Sequence, residues 1–537
     1  MEKRRYWVVA GVVCIGVGVA AGELLAALVS PSASPISAVG QGVIGILPGG
    51  VKEGAIQLFG TADKTVFLTT MIVIMALFAA AVGLLERARR GWGQICIGLF
   101  GVVGILAVAA LPDNTALGYA GPVAAAVVAT ALLSWTAARF LRPGFAGRTS
   151  PVPDAGLPPE EFGPPDAVVK TAPSVFATPS RGTSRRAFLT YMGAGAAVAV
   201  VAGGASVMFR RAAVLVADLR AKVVLPKPLV AAPAVPAAAE LPIAGITPLV
   251  TDPANFYRID TALVVPSVNS DTWKLSVTGM VEREITLDFA QLLTKPMVEA
   301  YVTIGCVSNE VGGDLVGNAR WLGWPVRELL AEAGVKPGAD MVLSRSTDGF
   351  TAGTPLSAMT DARNAIIAVG MDGAPLPQVH GFPARLIVPG LYGYVSATKW
   401  LKELKVTTFA ADQGYWTPLG WNAMGPIKTA SRIDVPRSGS RPDPGPFMAA
   451  GVAWAPERGI SAVQLQLDGG PWQNATLAAA LNKDTWVQWK APLVLSAGNH
   501  ELKVRAVDGT GTVQTAVVSP PPPDGATGYH TVDFTAG

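Results

Sequence analysis

Between Arg5 and Glu23, Lys64 and Glu86, Arg90 and Asp113, Asp113 and Arg139, and Arg186 and Arg210 the chain carries no charged residue. Each gap supplies the roughly 20 apolar residues that a helix needs to cross a bilayer. Across the 537 residues, 50% are hydrophobic and only 15% charged, and the apolar excess is concentrated ahead of residue 210. The pattern predicts an all-α membrane anchor of five helices, the first continuing past Glu23 to about Ser30. Four of them fall in residues 1–141 and the fifth in 184–210.

Orientation follows from the basic residues. Lys3, Arg4 and Arg5 precede the first span, Arg87, Arg89 and Arg90 separate the second from the third, and Arg139, Arg142, Arg148, Lys170 and Arg181 follow the fourth. Basic segments favour the cytoplasmic side. The amino terminus is therefore expected inside and everything beyond the fifth span outside, with Arg210 and Arg211 the exceptions. Ser184-Arg185-Arg186-Ala187-Phe188-Leu189 also resembles a twin-arginine export signal, although that signal normally stands at the amino terminus and a basic pair flanks many membrane helices. The motif implies an export machinery that carries folded protein across a bacterial plasma membrane. A multi-pass location there, with the polar half extracytoplasmic, is the expectation.

Residues 142–183 hold nine prolines, among them Pro151, Pro158, Pro164 and Pro173, and read as a flexible cytoplasmic loop. Residues 211–250 are again rich in Pro and Ala and read as a linker outside the membrane. From about Thr251 the pattern becomes that of a globular α+β domain, 251–437. Trp273–Gly279 and Ala384–Val388 read as strands, and Asp288–Leu293 and Val326–Gly334 as short helices. No glycine-rich phosphate loop lies between a strand and a helix, so a parallel nucleotide-binding sheet is not expected. After a Pro, Gly and Ser cluster at Ser438–Pro446, residues 438–537 show strand alternation with turns at Asp468-Gly-Gly470 and Asp508-Gly509, the signature of a β-sandwich.

Chemistry concentrates on Cys306, the single cysteine outside the apolar half. A lone thiol on an oxidising side of a membrane has no disulfide partner. It is either a buried structural residue or a ligand. The histidines are His380, His500 and His530 alone, too few for a zinc site built of Cys and His. Residues 1–210 contain no histidine, and the chain has neither a Cys-x-x-Cys-His haem attachment site nor an iron–sulfur cysteine cluster, so haem and iron–sulfur ligation within this chain is not expected. The net charge of +4 gives nucleic-acid binding no support.

Cys306 with Asn309, Ala319-Arg-Trp-Leu-Gly-Trp-Pro-Val326, His380-Gly-Phe-Pro-Ala-Arg385, Val388-Pro-Gly390 and Ala397-Thr-Lys-Trp400 together resemble the sulfite oxidase family of molybdenum-cofactor enzymes. Asn255-Phe-Tyr-Arg258 resembles that family's opening segment, and the tail from Gly451 resembles its immunoglobulin-like dimerisation domain. The resemblance implies a molybdenum–molybdopterin cofactor with Cys306 as metal ligand. It carries Asn255, Tyr257, Arg258, Asn309, Asp348, His380, Arg385, Ala397, Thr398 and Lys399 onto cofactor binding, and Tyr415 onto the catalytic site. A soft thiolate suits such a metal, and Arg385 and Lys399 suit the pterin phosphate. Asp348 in Ser346-Thr-Asp-Gly349 reads equally as a turn aspartate, and His380 as a core histidine. Tyr415 and its neighbour Trp416 read equally as packing.

The resemblance breaks after Asn309. Where sulfite-oxidising members continue with arginines, this chain has Glu310 and Asp314, whose charge opposes an anionic substrate. The expected function is oxygen-atom transfer on a small molecule, with electrons exchanged with a separate partner, a quinone or a cytochrome, and a homodimer is possible through the tail. The competing readings are a Cys306/His380 thiol hydrolase or transferase, and a non-catalytic binding protein on the same fold.

Overall fold

The computed structural model describes residues 2–29, 34–47, 51, 54, 58–59, 63–110, 116–141, 185–212 and 216–537. The proline-rich loop 142–183 and Ser184 of the twin-arginine-like motif lie outside the described residues. The chain divides into two compact units, one of Met1–Val39, Leu68–Ala110 and Asn114–Arg210, the other of Gly40–Phe67, Leu111–Asp113 and Arg211–Gly537.

In the first unit α1 spans Glu2–Val29. The short α2, Pro35–Ile46, begins here and was not anticipated from the charge pattern. It is followed by α3 (Asp63–Ala88), α4 (Trp92–Ala109), α5 (Ala120–Thr136) and α6 (Arg185–Ala212). Among the described residues, five helical segments, Arg4–Leu28, Val66–Ala88, Trp92–Ala109, Ala116–Arg139 and Arg186–Ala205, are long and apolar enough to cross a membrane. Small residues set the packing of α1. A Cβ on Gly11 would lie 2.2 Å from the Ala79 carbonyl oxygen of α3, and one on Gly22 2.6 Å from that of Gly121 in α5. The two acids that bound the first and second apolar runs are satisfied. Glu23 accepts hydrogen bonds from the Ser34 hydroxyl and the Ile36 amide, and Glu86 accepts from the Gly91 and Gly93 amides ahead of and within the first turn of α4, both at 3.0 Å.

The second unit contains an α+β domain built on two sheets. In the first, β1 (Lys274–Gly279) pairs with β2 (Ile285–Asp288) and, in parallel, with β10 (Leu401–Thr407), which continues to β5 (Met341–Ser346) and β6 (Thr351–Pro355). The second runs β3 (Val298–Gly305), β4 (Val316–Pro325), β7 (Ile366–Met371) and β8 (Ala374–Pro375), with β9 (Arg385–Ile387) on β7. The second sheet is buried on both faces, so β3, β4 and β7 are nearly continuous buried runs, whereas β1 and β10 of the first alternate between buried and more exposed positions. Asp288 caps the helix Phe289–Leu293 through a reciprocal capping box with Gln291, the arrangement that satisfies two otherwise orphaned amides. Val326–Ala333 buries Val326, Leu329, Leu330 and Ala333 and ends at Gly334 with φ 70°, a conformation open to glycine without penalty.

Two further four-stranded antiparallel sheets face each other over a common core. One contains β11 (Ala430–Val435), β12 (Gly445–Trp454), β16 (Val487–Leu495) and β15 (Thr476–Leu477). The other contains β14 (Gln473–Asn474), β13 (Ile460–Leu467), β17 (Gly498–Asp508) and β18 (His530–Ala536). Trp489, Leu465, Val504 and Phe534 fill the space between them. The first sandwich strand thus starts at Ala430, ahead of the composition change near Ser438. The segment read as a linker is fastened along its length. Arg220 donates to the Pro375 and Leu376 carbonyls, Leu229 to the Met297 carbonyl and Leu241 to the Gln488 side chain.

Candidate cofactor site

Cys306 is the first residue after β3, and the loop it opens is closed by three hydrogen bonds. The Cys306 amide donates to the Leu315 carbonyl at 2.8 Å, the Asn309 amide to the Cys306 carbonyl at 3.1 Å, and the Leu315 amide to the Asn309 side-chain oxygen at 2.8 Å. Asn309 thereby fixes the loop that presents the thiol. The sandwich braces the same loop. The Arg432 guanidinium donates to the Gly313 carbonyl at 2.8 Å, and the His530 ring packs so tightly on Gly312 that a Cβ there would sit 2.2 Å from it. With φ 80° as well, Gly312 is a position only glycine fills without strain.

A cavity of about 110 Å3 gathers Tyr257, Cys306, Asp348, His380, Arg385, Ala397 and Lys399, residues scattered over almost 150 positions of sequence. Asp260, Thr261, Ser308, Tyr394, Trp416 and Trp421 also line it. Arg258 stands behind the wall, its guanidinium 2.9 Å from Asp260. Asn255 is exposed, and Thr398 is buried with its hydroxyl 2.7 Å from that of Ser344. Asn309 faces a second cavity, of about 200 Å3, on the sandwich side of the Cys306 loop, together with Glu310 and Lys428. Tyr415 packs edge-on against Trp416 at 5.2 Å and beside Phe350 at 6.0 Å.

Asp260 is the residue that sequence reasoning missed. Burial alone would push its carboxyl up, but Lys399, Lys64 and Arg258 outweigh that and hold it well below the usual carboxylate range. Lys399 lies 2.6 Å from it, and Lys64 forms a further ion pair with it. Only its position two residues after Arg258 hinted at this role, because its partners come from distant segments. Lys399 is itself drawn down to about 8, burial being opposed by Asp260. Asp348 is raised by burial despite hydrogen bonds from Ser346 and Phe350.

Arg385 is buried, donating to the His380 carbonyl at 3.2 Å and the Ala397 carbonyl at 3.1 Å, with its guanidinium 5.1 Å from the Trp321 ring centre. Burial lowers it to about 10, so it stays charged at neutral pH. Its buried Nε has no hydrogen-bond partner. An uncompensated donor on a buried cation is costly and marks a place for an acceptor. The Trp421 indole N–H, also on the cavity wall, is likewise buried and unpartnered. Burial raises the Cys306 thiol against hydrogen bonds at Ser308 and the Lys399 charge, and it raises the Tyr257 phenol, so that this hydroxyl stays a donor. Among the described residues no three His, Cys, Asp or Glu side chains form a metal-binding group. The donor set therefore fits one thiolate on a metal otherwise held by its own organic ligand, with an anionic tail reaching the cationic wall.

Residues 262–416 match the family described as the oxidoreductase molybdopterin binding domain. They form a sulfite oxidase-like, molybdopterin-binding domain. The chain is 27% identical to the sulfite oxidase of Gallus gallus over 308 residues, 48% of this chain and 66% of that protein. It is 33% identical to nitrate reductase [NADH] 2 of Nicotiana tabacum over 178 residues, 28% of this chain and 20% of that protein. The sulfane dehydrogenase SoxCD of Paracoccus pantotrophus aligns with TM-score 0.48 and 23% identity over 53% of this chain and 81% of that one. The chain thus spans just under two thirds of the length of the Gallus gallus sulfite oxidase and a smaller share of the nitrate reductase.

His380 lies in this domain with Nε2 2.7 Å from the Pro253 carbonyl oxygen. A carbonyl can only accept, so Nε2 carries the proton, and Nδ1 keeps its lone pair. Burial, reinforced by Arg385 and Lys399, pushes the imidazole down to about 4. In the unfolded chain it protonates near 6.5, so the native state binds fewer protons between these values. Cofactor-free protein is expected to lose roughly 3 kcal/mol of stability as pH falls from 7 to 4 through this residue. Urea titrations of His380→Gln should show that part of the slope removed; an unchanged slope would contradict the assignment.

Proposed function

We propose that the chain is a membrane-anchored, molybdopterin-dependent oxidoreductase that transfers an oxygen atom to or from a small, uncharged substrate. The convergence of the Cys306 thiol, the unpartnered Arg385 Nε and the cationic wall around Asp260 on one cavity carries the reading. When bound, the cofactor supplies a two-electron metal centre capable of oxygen-atom exchange. Cys306 would be its protein ligand. Arg385 and Lys399 would hold its phosphate, while Tyr257 and the free lone pair of His380 face it as donor and acceptor. The Asn309 clasp and the sandwich contacts keep the Cys306 loop in one conformation, so that ligation costs little ordering.

The substrate class rests on the rest of the cavity and on the loop beside it. Tyr394, Trp416 and Trp421 give the cavity an aromatic wall, and the Trp421 N–H offers one neutral donor. Glu310 and Asp314 follow the thiol closely in sequence and oppose an anion. The two relatives' names specify sulfite and nitrate, so the relatives leave the substrate open, and this lining favours sulfoxide- or N-oxide-like molecules over sulfite. The thiol hydrolase reading fares worse. A nucleophilic cysteine needs a lowered pKa, whereas burial raises that of Cys306, and the protonated nitrogen of His380 is committed to Pro253.

The five apolar helices support a membrane anchor. Four of the candidate spans lie between Lys64 and Asp260, and an even number of crossings returns the chain to its starting side. The Lys64–Asp260 ion pair agrees with that count and with the orientation read from the basic loops. We place the catalytic domain outside a bacterial plasma membrane, exported folded through the twin-arginine route. The immunoglobulin-like sandwich is its dimerisation surface, and a quinone or cytochrome is its electron partner. The test is turnover by the full chain in detergent, with a reduced or oxidised dye as electron partner. Neutral oxides should be reduced far faster than sulfite is oxidised, in protein from molybdate-grown but not tungstate-grown cells. Faster sulfite oxidation would overturn the substrate assignment.

A further inference from the structure

Cys306 follows directly on β3, and three hydrogen bonds tie that strand to residues 482–486, the segment that leads into β16 of the sandwich. The Asn482 side chain donates to the Tyr301 carbonyl at 3.0 Å, the Thr303 amide to the Asp484 carbonyl at 2.9 Å, and the Trp486 amide to the Thr303 hydroxyl at 2.8 Å. Asp484, in the middle of this contact, is only 4% exposed. Its Oδ1 accepts from the Glu457 amide at 3.0 Å, and the two carboxyl groups lie within hydrogen-bonding reach of each other. Glu457 comes from the turn after β12, where it adopts φ 72°, a conformation uncommon outside glycine. It also packs on the turn after β9, so closely that a Cβ on Gly390 would lie 2.8 Å from its Cγ.

The two oxygens of Glu457 are in different situations. Oε2 is 3.2 Å from the Lys483 ammonium, whereas Oε1 is buried without any hydrogen-bond donor. Two ionised carboxyls could neither supply that donor nor avoid repelling each other. One proton removes both faults, because a protonated Asp484 donates its O–H to Glu457 Oε1. Burial first, and the Glu457 carboxyl second, push Asp484 up to about 7. The cations facing the pair are Lys483, more than half exposed, and Arg363, whose charge reaches both carboxyls but which is itself paired with Asp361 at 2.8 Å. From β3 and the turn after β9 the pair is met by Thr303 and Gly390, both uncharged.

We propose that Asp484 and Glu457 share one proton and so form a pH-sensitive clasp that positions β3, and with it the loop opened by Cys306, against the sandwich. Both are positioning residues, since neither lines the cavity at Cys306. The unfolded Asp484 is ionised above about 4, while the folded one still holds its proton there. The clasp therefore contributes most in acid and its contribution is lost as pH rises through about 7. Above that value two carboxylates are opposed in a buried place, and the hold on β3 weakens.

Hydrogen exchange of the full chain in detergent tests this, followed in peptides that contain Thr303 to Cys306 and Trp486, with rates corrected for the intrinsic pH dependence of exchange. Asp484→Asn keeps the acceptor for the Glu457 amide and adds a permanent N–H donor toward Glu457 Oε1, so it mimics the protonated clasp at every pH. Protection in wild type relative to this variant should fall about tenfold between pH 6 and pH 8, as one proton bound near pH 7 requires. Glu457→Gln places the donor on the other side of the pair and should flatten the profile in the same way; it decides if Asp484→Asn does not fold. A wild-type-to-variant ratio that stays constant from pH 6 to pH 8, or a variant less protected than wild type at pH 8, would overturn the clasp. Failure of both variants to fold would overturn it too, because each supplies the donor that the shared proton is held to supply.

Discussion

Cys306→Ser is expected to abolish oxygen-atom transfer while leaving the domain folded. The substitution is nearly isosteric and keeps all three backbone and Asn309 hydrogen bonds that shape the loop, so its effect on unfolding should stay below about 1 kcal/mol. Its effect on chemistry should exceed the roughly hundredfold typical of removing an outer partner of a metal ligand, because a hydroxyl remains protonated where a thiol can be drawn off as a soft anion. Two measurements separate these statements, chemical denaturation of the variant and its turnover with the best neutral oxide. Near-wild-type turnover would remove Cys306 from the metal.

The largest expected effect on stability belongs to Asp260→Asn. The carboxylate is buried and holds Lys64, Lys399 and Arg258 together. Removing one partner of a buried ionic group leaves the others uncompensated, at a typical cost of about 3 to 5 kcal/mol. The sign of the pH dependence follows from the depressed carboxyl. Its contribution is complete above the unfolded value near 4 and is lost as pH falls through the lower folded value. The gap between wild type and Asp260→Asn should therefore be full at pH 7 and narrow only in strong acid. The loss should also be larger in cofactor-free than in cofactor-loaded protein, because a bound phosphate compensates the same cations. Equal losses in the two forms would contradict the placement of the phosphate at this wall.

Much of the architecture was legible because it rests on patterns local in sequence. Charge-free gaps located the five long apolar helices, and alternation with turn residues located β1, β13 and β17. Asp288–Leu293 and Val326–Gly334 were legible as two short helices. The site was legible in a different way. Cys306, His380, Arg385 and Lys399 were named from their resemblance to a family, and the structure brings them to one cavity with Tyr257 and Asp348. Nothing in their spacing required it. Asp260 escaped because an acid among cations is recognisable only once Lys64, Arg258 and Lys399 are known to meet. Trp421 escaped because its value lies in an indole N–H left without a partner by tertiary packing. Asn309 and Thr398 were read as cofactor contacts. Their side chains also hydrogen-bond to Leu315 and Ser344, bonds that shape the loop and the Lys399 turn. The docking of residues 211–250 was hidden by prolines, which exclude helix and ladder but not single hydrogen bonds to neighbouring sheets.

The central claim is that one molybdopterin occupies the cavity at Cys306. Metal analysis of the purified full chain, with fluorescence detection of the released pterin, measures this directly. The account predicts about one molybdenum and one pterin per chain in wild type, with molybdenum much reduced in Cys306→Ser. Wild-type protein from molybdate-supplied cells that contains neither, or a Cys306→Ser variant that keeps its full molybdenum, would contradict it.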